Sequence, residues 1–203
     1  MNKILKGFQL TTVGAGFAIA LSVGVMTTTA NADTADEIRV AQAAKISLKQ
    51  AIDIASKQAS GSLVSAEFDD DDSDAQGSSV YELAFNNDTT SYEIKVDAKT
   101  GAVVKTETER LDKGDVNDYK VQQQAKIKIM DAINTAEKQT NGRVLEIEFE
   151  NDRDYADHET YYEIKVLKDN QIIELNIDAD TGAVFENSIE DIDAVPDMTA
   201  VEL

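Results

Sequence analysis

Residues 97–103 read Asp97-Ala98-Lys99-Thr100-Gly101-Ala102-Val103, and residues 178–184 read Asp178-Ala179-Asp180-Thr181-Gly182-Ala183-Val184. The two stretches lie 81 residues apart, and the same offset extends outward in both directions without a gap. Tyr81-Glu82 falls on Tyr162-Glu163, Glu67-Phe68 on Glu148-Phe149, Gly61 on Gly142, Lys57-Gln58 on Lys138-Gln139, and Ala51-Ile52 on Ala132-Ile133. Between Val40–Thr106 and Val121–Asn187 roughly a third of the positions are identical, so the chain is an internal duplication. The quoted stretch reads as a tight turn between strands. Asp97 or Asp178 accepts hydrogen bonds from the turn amides, and Gly101 or Gly182 supplies a positive φ.

Working back from the turn, each copy spells the same unit. Leu48, Ala51, Ile52, Ala55 and Ala59 form a helical stripe, with Ser47 and Gln50 spaced as a capping box. The second stripe is Ile129, Ala132, Ile133 and Ala136, where Lys128 replaces the capping serine. Gly61 and Gly142 stand where a left-handed glycine closes a helix. Period-two segments follow. Val64, Ala66 and Phe68 (or Leu145, Ile147 and Phe149) face a core, then Tyr81, Leu83 and Phe85 (or Tyr162, Ile164 and Val166). A third strand buries Tyr92, Ile94 and Val96, or Ile173, Leu175 and Ile177, and a short fourth begins at Ala102 or Ala183. Short connections imply an antiparallel meander with the helix on its apolar face. The fold class is therefore α+β: two tandem units, each one helix packed on a three- to four-stranded antiparallel sheet.

The flanks complete the organisation. Lys3 and Lys6 precede an uncharged stretch whose most apolar part runs from Val13 to Met26 and which closes on Ala30-Asn31-Ala32. This is the pattern of a signal peptide over residues 1–32, its apolar core short of the roughly 20 residues a bilayer span needs. Residues 33–45 lead into the first unit at 46–107; 108–126 read as a linker without a pattern of its own. The second unit covers 127–190, and 191–203, with the only proline, Pro196, form a tail.

The 203 residues carry a net charge of −20, and removal of Lys3 and Lys6 with the signal segment makes it −22. Such a chain is repelled by nucleic acid and by anionic membrane surfaces, whereas basic proteins, basic peptides and divalent cations suit it. The absence of cysteine excludes disulfides, thiol nucleophiles and thiolate metal sites.

The helix Ile46-Ser47-Leu48 with Ala51-Ile52 and Ala55, then Gly61, Tyr81-Glu82-Leu83 and the Asp97–Gly101 ending resemble a PepSY domain. In the second copy Ala132-Ile133, Ala136, Gly142, Tyr162-Glu163-Ile164 and Asp178–Gly182 carry the same resemblance. That family occurs in propeptides of secreted metallopeptidases and in small exported proteins; it is thought to bind or inhibit peptidases and has no catalytic residues of its own. The resemblance implies a non-enzymatic, exported protein, periplasmic or secreted, that binds an extracytoplasmic protein or peptide, with a peptidase as one candidate. No peptidase domain follows in the sequence, so inhibition would act in trans.

Two groups of residues are candidates for contact. Glu67, Glu82 and Glu93 recur as Glu148, Glu163 and Glu174, on three successive strands and on the face turned from the helix. They could dock a basic partner or keep an exported sheet soluble. Oxygen ligands at Asp70, Asp72 and Asp74, and at Asp152 and Asp154, could hold Ca²⁺ weakly, the only cofactor the sequence suggests. Neither run has the glycine and terminal glutamate of an EF-hand, and a solvated hairpin loop is the favoured reading of both. His158-Glu159-Thr160-Tyr161-Tyr162 begins like a zinc-protease motif, but Tyr162 stands where its second histidine belongs and His158 is the only histidine. The expectation is a protein that is not an enzyme, with an acidic Ca²⁺-binding envelope protein as the alternative.

Overall fold

The computed structural model describes residues 30–152 and 155–190; the segment 1–29, most of the expected signal peptide, Asp154 and the tail 191–203 lie outside the described residues. Four helices and eight strands follow in the order α1 (Ala30–Ala43), α2 (Leu48–Ala55), β1 (Ser62–Asp72), β2 (Ser78–Asn86), β3 (Thr90–Asp97), β4 (Val103–Arg110), α3 (Lys113–Gln124), α4 (Ile129–Thr140), β5 (Arg143–Asn151), β6 (Thr160–Lys168), β7 (Gln171–Asp178) and β8 (Val184–Glu190).

Helix α2 starts where the capping box demands. The Gln50 amide donates to Ser47 Oγ, and the Ser47 amide donates to Gln50 Oε1 at 2.8 Å. It buries Leu48, Ala51, Ile52 and Ala55, and α4 buries Ile129, Ala132, Ile133 and Ala136 from an N-terminus where Lys128 makes no side-chain cap. The closing glycines behave differently from the sequence expectation. The left-handed residue after α4 is Asn141 (φ 56°), not Gly142, and α2 has already ended at Ser56, well before Gly61. These glycines are needed for close approach. A Cβ on Gly61 would lie 2.1 Å from the Asn86 carbonyl oxygen, and one on Gly142 would lie 2.5 Å from Val166 Cγ1 and 2.8 Å from the Leu167 carbonyl oxygen. Each strand entry is pressed against the far end of its hairpin partner.

The two meanders do not stand apart. They merge into one eight-stranded antiparallel sheet in the order β4-β3-β2-β1-β5-β6-β7-β8. The seam is β1 against β5, with Ser65 opposite Glu148 and Ala66 opposite Ile147. All helix-facing residues join one core, in which Leu83, Ile94, Ile133, Ile147, Ile164 and Leu175 are at most 2 % exposed. The recurring tyrosines lock each helix start to its sheet. Tyr81 Oη donates to the Ile46 carbonyl at 3.0 Å and Tyr162 Oη to that of Ile127 at 2.7 Å, with their rings edge-on to Phe68 and Phe149.

The stretch 108–126, read from sequence as an unpatterned linker, continues β4 to Arg110 and then forms α3. The apolar pattern missed this helix because its buried side is largely polar: Asp115, Asp118, Tyr119 and Gln122. Asp112 caps it through the amides of Gly114 and Asp115. Gln122 Nε2 crosses to the Leu63 carbonyl (3.1 Å), and Asp118 accepts from Asn151 (2.8 Å). The lead-in is likewise helical. Arg143, on β5, donates to the carbonyls of Ala41 (3.2 Å), Ala44 (3.0 Å) and Ile46 and to Tyr81 Oη, so the second unit grips the first from the helix side.

Candidate functional site

With all four helices drawn onto the other face or the seam ends, the sheet keeps one face without a helix among the described residues, and strand alternation dictates what it carries. Ala66 and Phe68 point to the core, so Ser65, Glu67 and Asp69 point outward; the same parity sends out Glu82, Glu93 and Lys95, and Glu146, Glu148, Glu163, Lys165 and Glu174. The register aligns these into a row running straight across the sheet. Lys105 stands opposite Lys95, Lys95 opposite Glu82, Glu82 opposite Glu67, Glu146 opposite Lys165, Lys165 opposite Glu174, and Glu174 opposite Ser188. One step along the seam from Ala66–Ile147 brings Glu67 to Glu146.

The structure thus places all six recurrent glutamates on this face, but none is fully exposed: Glu93 is buried and the other five are half-buried. Their electrostatics differ accordingly. Burial, reinforced by Glu146, Glu82, Glu148 and Asp69, pushes the Glu67 carboxyl from its ordinary 4.5 to about 8. Burial and then Glu82 raise Glu93 to about 7, although Lys95 works against the rise.

Lys95 is the electrostatic centre of the first unit. Its Nζ lies 2.7 Å from Asp72, 3.1 Å from Glu82, 3.2 Å from Asp74 and 3.9 Å from Glu93. Burial alone would weaken the ammonium, but the hydrogen bonds it donates to Asp72, Glu82 and Asp74, with the charge of Glu82, outweigh it and hold the proton more tightly than usual. Lys105 adds bonds to Asp74 (2.8 Å) and Glu107 (3.3 Å). The acidic run is therefore not a free loop. Asp69 to Asp72 belong to β1; Asp70 shares the helix-side parity of Ala66 and Phe68 and lies towards Asp36 of α1, and a bulge between Asp69 and Asp72 brings Asp72 to the outer face beside Lys95. Asp72 and Asp74 come together on Lys95, whereas the carboxylates that cluster are Asp69, Asp72 and Glu82, with ligand atoms within 4.8 Å of one another. Asp152, in the second unit, lies 3.4 Å from Tyr161 Oη.

The second unit solves the same packing problem with other chemistry. Asn176 stands in register where the first unit has Lys95, Glu186 where it has Lys105, Tyr155 where it has Asp74, and Phe185 where it has Val104. Tyr155 packs edge-on to Tyr161 and Phe185, and His158 stacks on Phe185 with ring centroids 3.9 Å apart. Asn176 Nδ2 donates to Tyr155 Oη at 3.0 Å, and the hydrogen bond of that hydroxyl with Glu186, then burial, raise its pKa to about 12. His158 Nδ1 is 2.7 Å from Asp178. Sequence reading missed this cluster and the Lys95 centre; the signal was the set of positions where the two copies differ, not where they agree.

The β3–β4 and β7–β8 turns are built on their aspartates. Asp97 Oδ1 accepts from the Lys99 amide (3.0 Å), the Thr100 amide (2.7 Å) and Thr100 Oγ1 (2.8 Å); Asp178 Oδ1 accepts from the Asp180 amide (3.1 Å), the Thr181 amide (2.7 Å) and Thr181 Oγ1 (2.7 Å). Burial opposes ionisation of both, yet these donors, led at Asp178 by His158, prevail and keep both carboxyls below the usual range. Gly101 (φ 74°) and Gly182 (φ 75°) close the turns. The strongest feature of this face is the acidic stretch at the seam, where Glu82, Glu67, Glu146 and Glu148 adjoin.

Comparison with known proteins gives a domain model described as "Peptidase propeptide and YPEB domain" (PepSY), which matches residues 45–107 and 126–187. No curated protein matches the chain. Among solved structures, a protein described as a "putative lipoprotein" from Clostridium difficile 630 is 26% identical, with 72% of this chain and 95% of that chain covered and a TM-score of 0.43.

Proposed function

The chain belongs to the PepSY family, with two such domains in tandem, and from that premise we propose that it is a non-enzymatic binding protein acting outside the cytoplasm. Its ligand is a basic stretch of a partner protein or peptide, and a peptidase is the first partner to test. The observation that carries the reading is the helix-free sheet face, where Glu82, Glu67, Glu146 and Glu148 from both units adjoin across the seam. Cations are favoured there by proximity to several carboxylates at once, and the net charge of −20 adds long-range attraction. Support for export comes from the Lys3–Ala32 pattern, and no helix among the described residues is long and apolar enough to cross a membrane.

The test is capture of extracytoplasmic proteins on the immobilised protein, followed by titration with lysine-rich peptides and a peptidase-inhibition assay. Reversing Glu82, Glu148 and Glu163 to lysine should abolish peptide binding at low salt; unchanged binding by that variant refutes the reading. A second reading, Ca²⁺ binding, draws on the grouped oxygens of Asp69, Asp72 and Glu82. There Ca²⁺ must displace the Lys95 ammonium, so calorimetry with millimolar Ca²⁺ should give heat only if that exchange occurs.

A further inference from the structure

The join between the two units is the shortest ladder in the sheet, and among the described residues it is also where the outer row has no cation. Lys95 reaches Glu82 at 3.1 Å from the β3 side and Lys165 reaches Glu146 at 2.7 Å from the β6 side. Between them Glu67 meets carboxylates on every side: Asp69 on its own strand, Glu82 on β2, and Glu146 and Glu148 on β5. Among the described residues no lysine or arginine pairs with Glu67. Neighbouring strands are only about 4.8 Å apart, so three consecutive carboxylates in one row repel one another directly. The registered pairs at the seam are Ser65–Glu148 and Ala66–Ile147, whereas the other edge of β5 is paired from Arg143 to Asn151.

We propose that the β1–β5 join is a proton-held seam: it is closed while Glu67 carries a proton and opens from the outer face when that proton leaves. The helix side limits the opening. Arg143 holds Ala41, Ala44 and Tyr81, Lys49 holds Asn134 and Glu137, and Gln122 holds Leu63, so the units stay tethered while the outer ladder loosens.

The direction follows from linkage. In the closed seam the Glu67 carboxyl titrates near 8 and in an open, hydrated seam near its ordinary 4.5. Below the lower value both states are protonated and pH has no effect. Between the two values only the open state has lost the proton, so each pH step upward favours opening about tenfold. Above the higher value the effect levels off.

Hydrogen exchange of the whole protein, read at peptides covering residues 64–68 and 145–149 and corrected for intrinsic exchange, tests this. Protection there should fall about tenfold per pH unit between pH 5 and 8, relative to the β3 and β7 centres. In Glu67→Gln the fall should vanish. In Glu146→Gln, which removes one repelling neighbour, the fall should end at lower pH and be smaller in total. The proposal is overturned if protection at the seam is flat in the wild type, or if it falls equally in Glu67→Gln. Should Glu67→Gln not fold, a Glu146→Gln profile identical to the wild type overturns it as well.

Discussion

Replacing Lys95 with methionine isolates what holds the first unit's outer face together. Methionine keeps the apolar stem, so the change removes the ammonium and little packing. Lys95 and Asp72 side chains are only 11% and 4% exposed, so Asp72 loses its counter-ion where water cannot replace it. Removing one partner of a buried pair costs about 3–5 kcal/mol. Glu82 and Asp74, at 20% and 39% exposure, are better hydrated and add less. The expected loss at pH 7 is therefore about 3–4 kcal/mol, a large part of the roughly 5–15 kcal/mol that stabilises a typical domain. Urea unfolding followed by far-UV circular dichroism measures it. Acidification to pH 4.5 should return part of the loss as the orphaned carboxylates take up protons, while 0.5 M salt should return little because the group is buried. Lys49→Met is the control: its pair with Glu137 is about one-third exposed on both sides and should cost less than about 1 kcal/mol. A Lys95→Met loss no larger than the control, or one unchanged at pH 4.5, would refute the assignment of Lys95 as the electrostatic centre.

Three further perturbations check other parts of the architecture. Gly61→Ala should destabilise by more than about 2 kcal/mol in urea unfolding, because its Cβ would sit 2.1 Å from a backbone oxygen that cannot swing away. Ser47→Ala should cost about 1 kcal/mol in the same assay through loss of the capping box, and Lys128→Ala, which removes no N-cap bond from α4, should cost about 1 kcal/mol through the lost hydrogen bonds from its ammonium to the Gln123 and Ala125 carbonyls at the end of α3. Phe185→Ala should loosen the second unit's aromatic cluster, seen as sharply raised hydrogen exchange at 155–159, with no matching change at 73–77, where the first unit relies on ion pairs.

Much of the fold is legible because its determinants are local. The Ser47–Gln50 cap, the Leu48–Ala55 stripe, the period-two strands and the Asp97 and Asp178 turns all act over a few residues, and the duplication repeats each one in register. Helix α3 escaped because it buries Asp115, Asp118 and Gln122 rather than an apolar stripe. The glycines were seen but misassigned: their need for a missing Cβ arises from strands Asn86 and Val166, far along the chain. Of the candidate site, the outward parity of the six glutamates follows from alternation alone. Their burial, the bulge that brings Asp72 to the outer face, and the gathering of Asp72, Asp74, Glu82 and Glu93 on Lys95 do not.

The amino-acid sequence by itself determined the duplicated helix-and-meander unit, its turns and the acidic character of its outer face, since periodicity and spacing record which side of a helix or strand is buried. Only the tertiary structure decided that β1 pairs with β5 to make one sheet. Strand pairing at an edge is made by backbone groups that every residue possesses, so no side-chain pattern announces it. That single pairing sets Glu67 beside Glu146, turning two separately unremarkable acidic faces into one continuous row with its cations at the flanks.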